Sequence, residues 1–430
     1  MNVPSPISQP SSKLKMNSFV QSNSSFRLAN SSPKKLENRN PQDNGLKRKA
    51  LASRDTNKKH TKISKDWMEY QGINGWEGLL DPLDDNLRSE ILRYGDFVEA
   101  TYRSFDFNPS SPTYATCKYP KSSLLTRSGI RCSGYRVTRN LNATCGVELP
   151  AWPVRVPSWM STRSSWIGYV AVCHDRREIS RLGRRDVVIA FRGTGTCLEW
   201  IENLRAALTC LHGSGVDDGP MVQSGFLSLY SSKASKRQSL QDTVREEVRR
   251  IIRMYGEKPL SFTITGHSLG AALATLAAYD IHNTFADAPM VTVISFGGPR
   301  VGNKSLGCLL EKSGTNILRI VNSDDLITKV PGFVIDNNNG TVDHRDATNA
   351  PGLPGWLNQR MQDSQWLYAD IGRELRLSSK DCPYLYDINV ATCHELKTYL
   401  QLVSSFVSSK CPFRATAKKV LSMRSHGSRS

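Results

Sequence analysis

A chain of 430 residues, 39% hydrophobic and 8% aromatic, has enough apolar material for a sizeable core. No apolar run reaches the roughly 18 residues that a membrane-spanning helix needs, so the chain is expected to be soluble or to sit on a membrane surface. The net charge of +18 is uneven: residues 1–60 hold twelve Lys and Arg against three acids, half of the excess, and the mildly basic remainder argues against a nucleic-acid domain.

That first stretch is rich in Ser, Asn, Lys and Arg and has no apolar secretory core. It suits an organellar transit peptide, with a disordered basic tail or a nuclear signal as the alternatives. Order is expected from about Trp67. Leu87, Ile91, Tyr94, Val98 and Tyr102 then recur at three- and four-residue steps, which predicts an amphipathic helix over Asp85–Tyr102. The region 108–163 is rich in Ser, Pro and Arg with weak periodicity and reads as irregular chain or short strands.

Apolar β-rich runs follow at Trp166–Val172, Val187–Phe191, Phe262–Thr265, Val291–Phe296 and Ile317–Val321. Helical patterns over Gln241–Tyr255 and Ala271–Phe285 separate some of them. Continuously apolar strands alternating with helices predict an α/β fold with a mostly parallel sheet and helices on both faces. The ten cysteines form no CxxC pair, which suggests neither zinc nor a dithiol redox site, and reduced thiols are expected.

Two strand ends carry chemistry. Phe262–Thr265 runs into Gly266-His267-Ser268-Leu269-Gly270 and then an alanine-rich helix. Strand, G-x-S-x-G, helix is the pattern of a nucleophile elbow. Gly266 and Gly270 flank Ser268 because the residues two before and two after the serine press together in so tight a turn. Acyl transfer also needs two donors for the developing oxyanion. The N–H of Leu269 is one, and Thr194, in the small-residue loop after Val187–Phe191, is the candidate for the other. Read without the elbow, Thr194 would be an ordinary helix N-cap.

The serine requires a base and the base an orienting acid, in the chain order Ser, acid, His. Ile317–Val321 ends in Asn322-Ser323-Asp324-Asp325, and residue types alone leave Asp324 and Asp325 open. Among His344, His394 and His426, His394 is the candidate because it opens a helical run containing Leu396, Tyr399, Leu400 and Val403. Trp200, Ile201 and Leu204 share one helical face, readable as core packing or as a short helical lid turned toward lipid.

Val187–Leu204, Gly266–Gly270, Ser295–Asn303 and Ile317–Pro331 together resemble the class 3 lipases, an α/β-hydrolase family. Trp67–Phe107 and Gly183–Leu208 are similar to plant phospholipase A1 enzymes of the organelle-targeted, jasmonate-linked acylhydrolase group. The resemblance covers about residues 66–405. It implies Asp325 as the acid, His394 as the base and Thr194 as the oxyanion residue, with no metal and no cofactor. It further implies cleavage of sn-1 ester bonds in phospholipids, galactolipids or triacylglycerols at a membrane surface, feeding a jasmonate-type lipid signal, in a chloroplast or else a mitochondrion. Gln223 stands where many fungal members carry a histidine. The expected organisation is a basic transit-like segment (1–65), a hydrolase domain (66–410, its catalytic core from 166) and a basic tail (411–430). The rival readings are a soluble carboxylesterase and a non-catalytic lipase-like binding protein.

Overall fold

Strands that are apolar at successive positions need cover on both faces, and in the computed structural model they have it. The structure describes residues 62–130, 134–144, 164–194, 207–211, 219–233, 238–330, 368–383, 385 and 389–413. Among them, seven strands form the main sheet in chain order. These are β1 (Tyr135–Ala143), β2 (Ser165–Cys173), β3 (Arg185–Phe191), β4 (Leu260–His267), β5 (Met290–Phe296), β6 (Asn316–Asn322) and β7 (Arg373–Leu377). β1, β2 and β3 pair antiparallel, and β3 through β7 pair parallel.

The side chains of β3 show how the two faces are shared. Val187, Ile189 and Phe191 join one core with Phe262, Ile264 and two helices, α2 (Leu240–Tyr255) and α3 (Leu269–Thr284). Val188 and Ala190 point the other way, into a core with Ile294, Phe296 and helix α1 (Asp85–Ser104). The alanine run of α3 is buried throughout. Small side chains there let the helix axis lie close to the sheet. Helix α1 starts at Asp84, whose side chain accepts the N–H groups of Asn86 and Leu87 and so caps two of the bare amides. Leu87, Ile91, Tyr94 and Val98 are buried along one stripe.

One described part of the region 108–163 is more regular than the sequence suggests. Residues 135–143 form a nine-residue strand, β1, on the sheet edge. Its register slips between Val137 and Arg139 and again between Leu141 and Asn142. Such bulges break the two-residue alternation by which a strand is recognised. β7 also went unread: its Arg-Glu-Leu-Arg-Leu is a charged edge strand that buries only Leu375 and Leu377. Charge on an edge strand guards against pairing with other chains. The basic segment 1–60, the lid candidates Trp200, Ile201 and Leu204, and His344 and His426 lie outside the described residues.

At the amino ends of the strands a buried polar network fastens α1 to the sheet. Asp186 Oδ2 accepts from Arg93 Nη1 at 2.9 Å and from the Tyr135 hydroxyl at 2.8 Å. Arg93 also pairs with Glu90 at 2.6 Å. Arg184, fully buried, donates to the Tyr94 hydroxyl at 3.0 Å and to Ser261 at 2.8 Å. Two cations and two anions balance here. Removing one partner strands the others in a medium of low dielectric. Asp186→Ala is therefore expected to destabilise the fold by about 3–5 kcal/mol. Equilibrium denaturant unfolding measures this, and a change below about 1 kcal/mol would show that the network is not what anchors the helix.

Candidate active site

The ends of β3, β4 and β6 meet helix ends at the carboxyl edge of the sheet. Strand β4 passes into α3 through a single residue, Ser268, with φ 58° and ψ −126°. A non-glycine residue in that region is strained, at on the order of 1–3 kcal/mol, and persists only where its surroundings enforce it. The enforcement is steric. A Cβ on Gly266 would sit inside the backbone carbonyl of Gly270, and one on Gly270 would lie 2.6 Å from the carbonyl oxygen of Phe191 and 2.7 Å from that of Arg192. Thus the glycines let the elbow close and let the loop after β3 press against it. Leu269 is the first residue of α3, so its N–H belongs to the helix end that has no intrahelical acceptor.

That loop brings Gly193 and Thr194 to the elbow. A Cβ on Gly193 would stand 3.1 Å from the Ser268 Cβ and 2.8 Å from the His267 carbonyl oxygen. Thr194 is buried, and its hydroxyl is a polar atom with no hydrogen-bond partner among the described residues. Buried hydroxyls are nearly always satisfied, and an orphan next to a strained serine is the sort of exception that marks a site.

The acid and the histidine come together on the other side. Asp325 is fully buried at the end of β6. Its Oδ2 accepts from His394 Nδ1 at 2.7 Å and from the Tyr399 hydroxyl at 2.6 Å. Its Oδ1 accepts from the N–H of Ile327 at 2.9 Å. The two adjacent acids part in space: Asp324 turns to the Ser378 hydroxyl and to the N–H and ammonium of Lys380. His394 ends the short helix Val390–His394, held in place by a reciprocal cap between Asn389 and Thr392. Asn322 steadies the same corner by donating to the Cys393 carbonyl at 2.9 Å and to Ser379 at 2.6 Å.

His267 joins the two sides. Its Nε2 is 2.7 Å from the His394 carbonyl oxygen, and its ring centroid is 4.7 Å from that of His394. Its Nδ1 is 2.7 Å from the Tyr102 hydroxyl. A carbonyl only accepts, so the ring hydrogen sits on Nε2 and Nδ1 accepts from Tyr102. The same hydroxyl accepts the N–H of Gly193 at 3.0 Å. Helix α1 thereby reaches the loop after β3 and the elbow through one phenol.

Tyr102, His267, Asn322 and Tyr399 were not singled out from the sequence. In the sequence Tyr102 sits on an amphipathic stripe and Tyr399 in a helical run, and the signal lies in their hydroxyls, since a buried tyrosine hydroxyl usually finds a partner. Burial, with the Asp325 carboxylate beside it, pushes the Tyr399 phenol well above its usual range, so it stays a donor. Gln223 caps the helix Ser224–Ser231 by accepting from the Phe226 N–H at 2.7 Å, a backbone role apart from the acid and the imidazole.

Burial, aided by the neighbouring His394, holds the His267 imidazole well below its usual value of 6.5. The folded chain refuses a proton that the unfolded chain takes up below about pH 6.5, so this contribution to stability is intact above that pH and is lost as the pH falls. Thermal midpoints measured from about pH 7 to about pH 5 should fall more steeply for the parent protein than for His267→Asn. Equal slopes would contradict a neutral, buried His267.

The class 3 lipase model matches residues 188–335. The chain is 64% identical over 367 residues to phospholipase A(1) DAD1, chloroplastic, of Arabidopsis thaliana, covering 84% of this chain and 81% of that one. It is 39% identical to galactolipase DONGLE, chloroplastic, of the same plant, over 80% of this chain and 70% of that one. To phospholipase A1 EG1, chloroplastic/mitochondrial, of Oryza sativa subsp. indica it is 38% identical, over 82% and 77%. With two thirds of its length or more shared with each of these relatives, and with a mostly parallel sheet carrying a G-x-S-x-G elbow, this chain belongs to the class 3 lipase family and has the α/β-hydrolase fold.

Proposed function

We propose that this protein is a serine acyl hydrolase that cleaves fatty-acyl esters of membrane glycerolipids as a phospholipase A1, with galactolipids and triacylglycerols as further substrates. The observation that carries the reading is the buried Asp325 carboxylate bound to His394 Nδ1 at 2.7 Å, with the His394 ring 4.7 Å from that of His267, the chain neighbour of the strained Ser268. With Nδ1–H committed to Asp325, the other nitrogen of the His394 ring is the basic one. His394 removes the Ser268 proton, the serine oxygen attacks the ester carbonyl, and the N–H groups of Leu269 and Thr194 receive the oxyanion. The Thr194 hydroxyl gains a partner in that anion. Protonated His394 then returns the proton to the leaving alcohol, and water releases the fatty acid by the same steps. This chemistry calls for no metal and no cofactor.

A lipid substrate is supported by the names of the relatives, phospholipase A1 and galactolipase. Among the described residues no helix is long and apolar enough to cross a membrane. Peripheral contact with the bilayer is the corresponding mode of access, with Trp200, Ile201 and Leu204 as the lid. The relatives named chloroplastic, together with the basic, Ser-rich residues 1–60, support a plastid address, with the mitochondrion as the alternative. The fatty acid freed in this way feeds a jasmonate-type lipid signal.

Purified full chain on phosphatidylcholine, galactolipid and triacylglycerol tests the reading. Ser268→Ala should keep the fold and abolish release of fatty acid. Asp325→Asn should lower kcat by about 10⁴, whereas Asp324→Asn should leave it within about threefold. Equal losses in both aspartate variants, or unchanged hydrolysis by Ser268→Ala, would overturn the assignment.

A further inference from the structure

Arg192 stands directly before the oxyanion loop and is only 4% exposed. Among the described residues its guanidinium donates only to neutral oxygens. Nε donates to the Trp166 carbonyl, Nη2 to the Ser165 hydroxyl and Nη1 to the Gly193 carbonyl, each at 2.8 Å. The guanidinium carbon lies 3.7 Å from the centroid of the Phe105 ring. Among the described residues no carboxylate pairs with it. Burial draws its pKa down to about 10, which leaves it charged at neutral pH. A buried cation served by neutral acceptors alone is a costly element to place beside a catalytic loop.

We propose that Arg192 is a positioning residue for the oxyanion donor: by holding the Gly193 carbonyl it fixes the peptide plane whose N–H belongs to Thr194. The peptide unit is planar and trans, so its C=O and N–H point in opposite directions. Anchoring the carbonyl of Gly193 on the guanidinium aims the Thr194 N–H away from it. The preceding peptide is fixed as well, because the Gly193 N–H donates to the Tyr102 hydroxyl at 3.0 Å. Both peptide units that flank Gly193 are thus tied by side chains from outside the loop. Gly193 would otherwise be the freest link in it. The Gly193 N–H is also spent on Tyr102, which leaves Thr194 as the donor from this loop. Oxyanion stabilisation depends on donors oriented before the charge develops, so the benefit falls on the transition state and not on substrate binding.

This inference rests on the acyl hydrolase reading and is tested so that the two can fail separately. Full chain, Ser268→Ala, Arg192→Lys and Ser165→Ala are assayed on a soluble short-chain p-nitrophenyl ester, with active serines counted by fluorophosphonate titration. Lysine keeps the charge but cannot span the three oxygens. Per titrated serine, Arg192→Lys should lose about 10–100-fold in kcat with KM within about twofold. A trifluoromethyl ketone, which forms a tetrahedral oxyanion adduct, should lose affinity by the same factor as kcat/KM. Ser165→Ala, which frees one arm of the guanidinium, should lose several-fold in kcat at unchanged KM, and it decides the question if Arg192→Lys does not fold. Unchanged kcat in the folded variant, or a loss confined to KM, overturns the positioning role. If instead Ser268→Ala hydrolyses the ester as well as the parent does, the reading of the site itself falls, and the role of Arg192 with it.

Discussion

The strained turn at Ser268 sets the terms for the rest of the molecule. Strand β4 has to become helix α3 within one residue, and only a backbone with positive φ does so. That conformation needs Gly266 against Gly270, and Gly270 against the carbonyls of Phe191 and Arg192. The last contact has a consequence beyond sterics. It makes the end of β3 and the start of α3 a single packed unit, so the loop carrying Thr194 is registered against the serine by backbone contact. Strain at the elbow is tolerated because the parallel pairing of β4 with β3 and β5, and the burial of all eight of its residues, leave the turn no softer alternative.

Around this unit the polar groups are arranged in two separate arms. On one, Asp325 gathers three donors, from His394, Tyr399 and the Ile327 backbone, so its position does not rest on the histidine alone. On the other, Tyr102 and Arg192 hold the N–H and the carbonyl of Gly193. His267 ties the arms together, from the Tyr102 hydroxyl to the His394 carbonyl. It does so as a neutral ring, since burial and the nearby His394 both oppose a second proton. A charged residue at this position would oppose a proton on the neighbouring His394. A neutral donor and acceptor can position that imidazole without opposing it.

What could be read in the sequence follows from how local each feature is. The five main-sheet strands between Ser165 and Asn322 are legible because burial on both faces fills them with apolar and β-branched side chains. The elbow was legible because its steric demand falls on residues only two positions apart. Helix α1 was visible as a stripe, and its continuation to Ser104 adds half a turn to the expected range. β1 was hidden by its bulges and β7 by its charges. In the site, Ser268 was readable from its own neighbours, whereas Asp325 against Asp324 was a question of direction. Which of two adjacent carboxylates points inward depends on strand β6 and on Tyr399, 74 residues away. Tyr102 is unreadable as a site residue for the same reason, and Arg192 because the Trp166 and Ser165 that fix its guanidinium lie 26 and 27 residues away.

Helix α1 shows why the amino-terminal region cannot be treated as an attachment to a self-sufficient core. Near its start Arg88 donates to the Val403 carbonyl at 2.7 Å, which ties it to the helix Leu396–Ser405 that carries Tyr399. In its middle Arg93 and Tyr94 enter the charge network at Asp186, by the amino ends of the strands. Near its end Tyr102 meets His267 and Gly193 at the carboxyl edge. One rigid element therefore registers the catalytic edge against the opposite edge and against the carboxyl-terminal helix. A helix rises about 1.5 Å per residue, so the nine residues from Arg93 to Tyr102 span about 14 Å. Over such a distance a small tilt at the buried ion network becomes a displacement of the Tyr102 hydroxyl. Because that hydroxyl both orients His267 and accepts from the loop after β3, the salt bridges at the far edge of the sheet have a mechanical route to the Ser268 elbow that passes through no flexible connection.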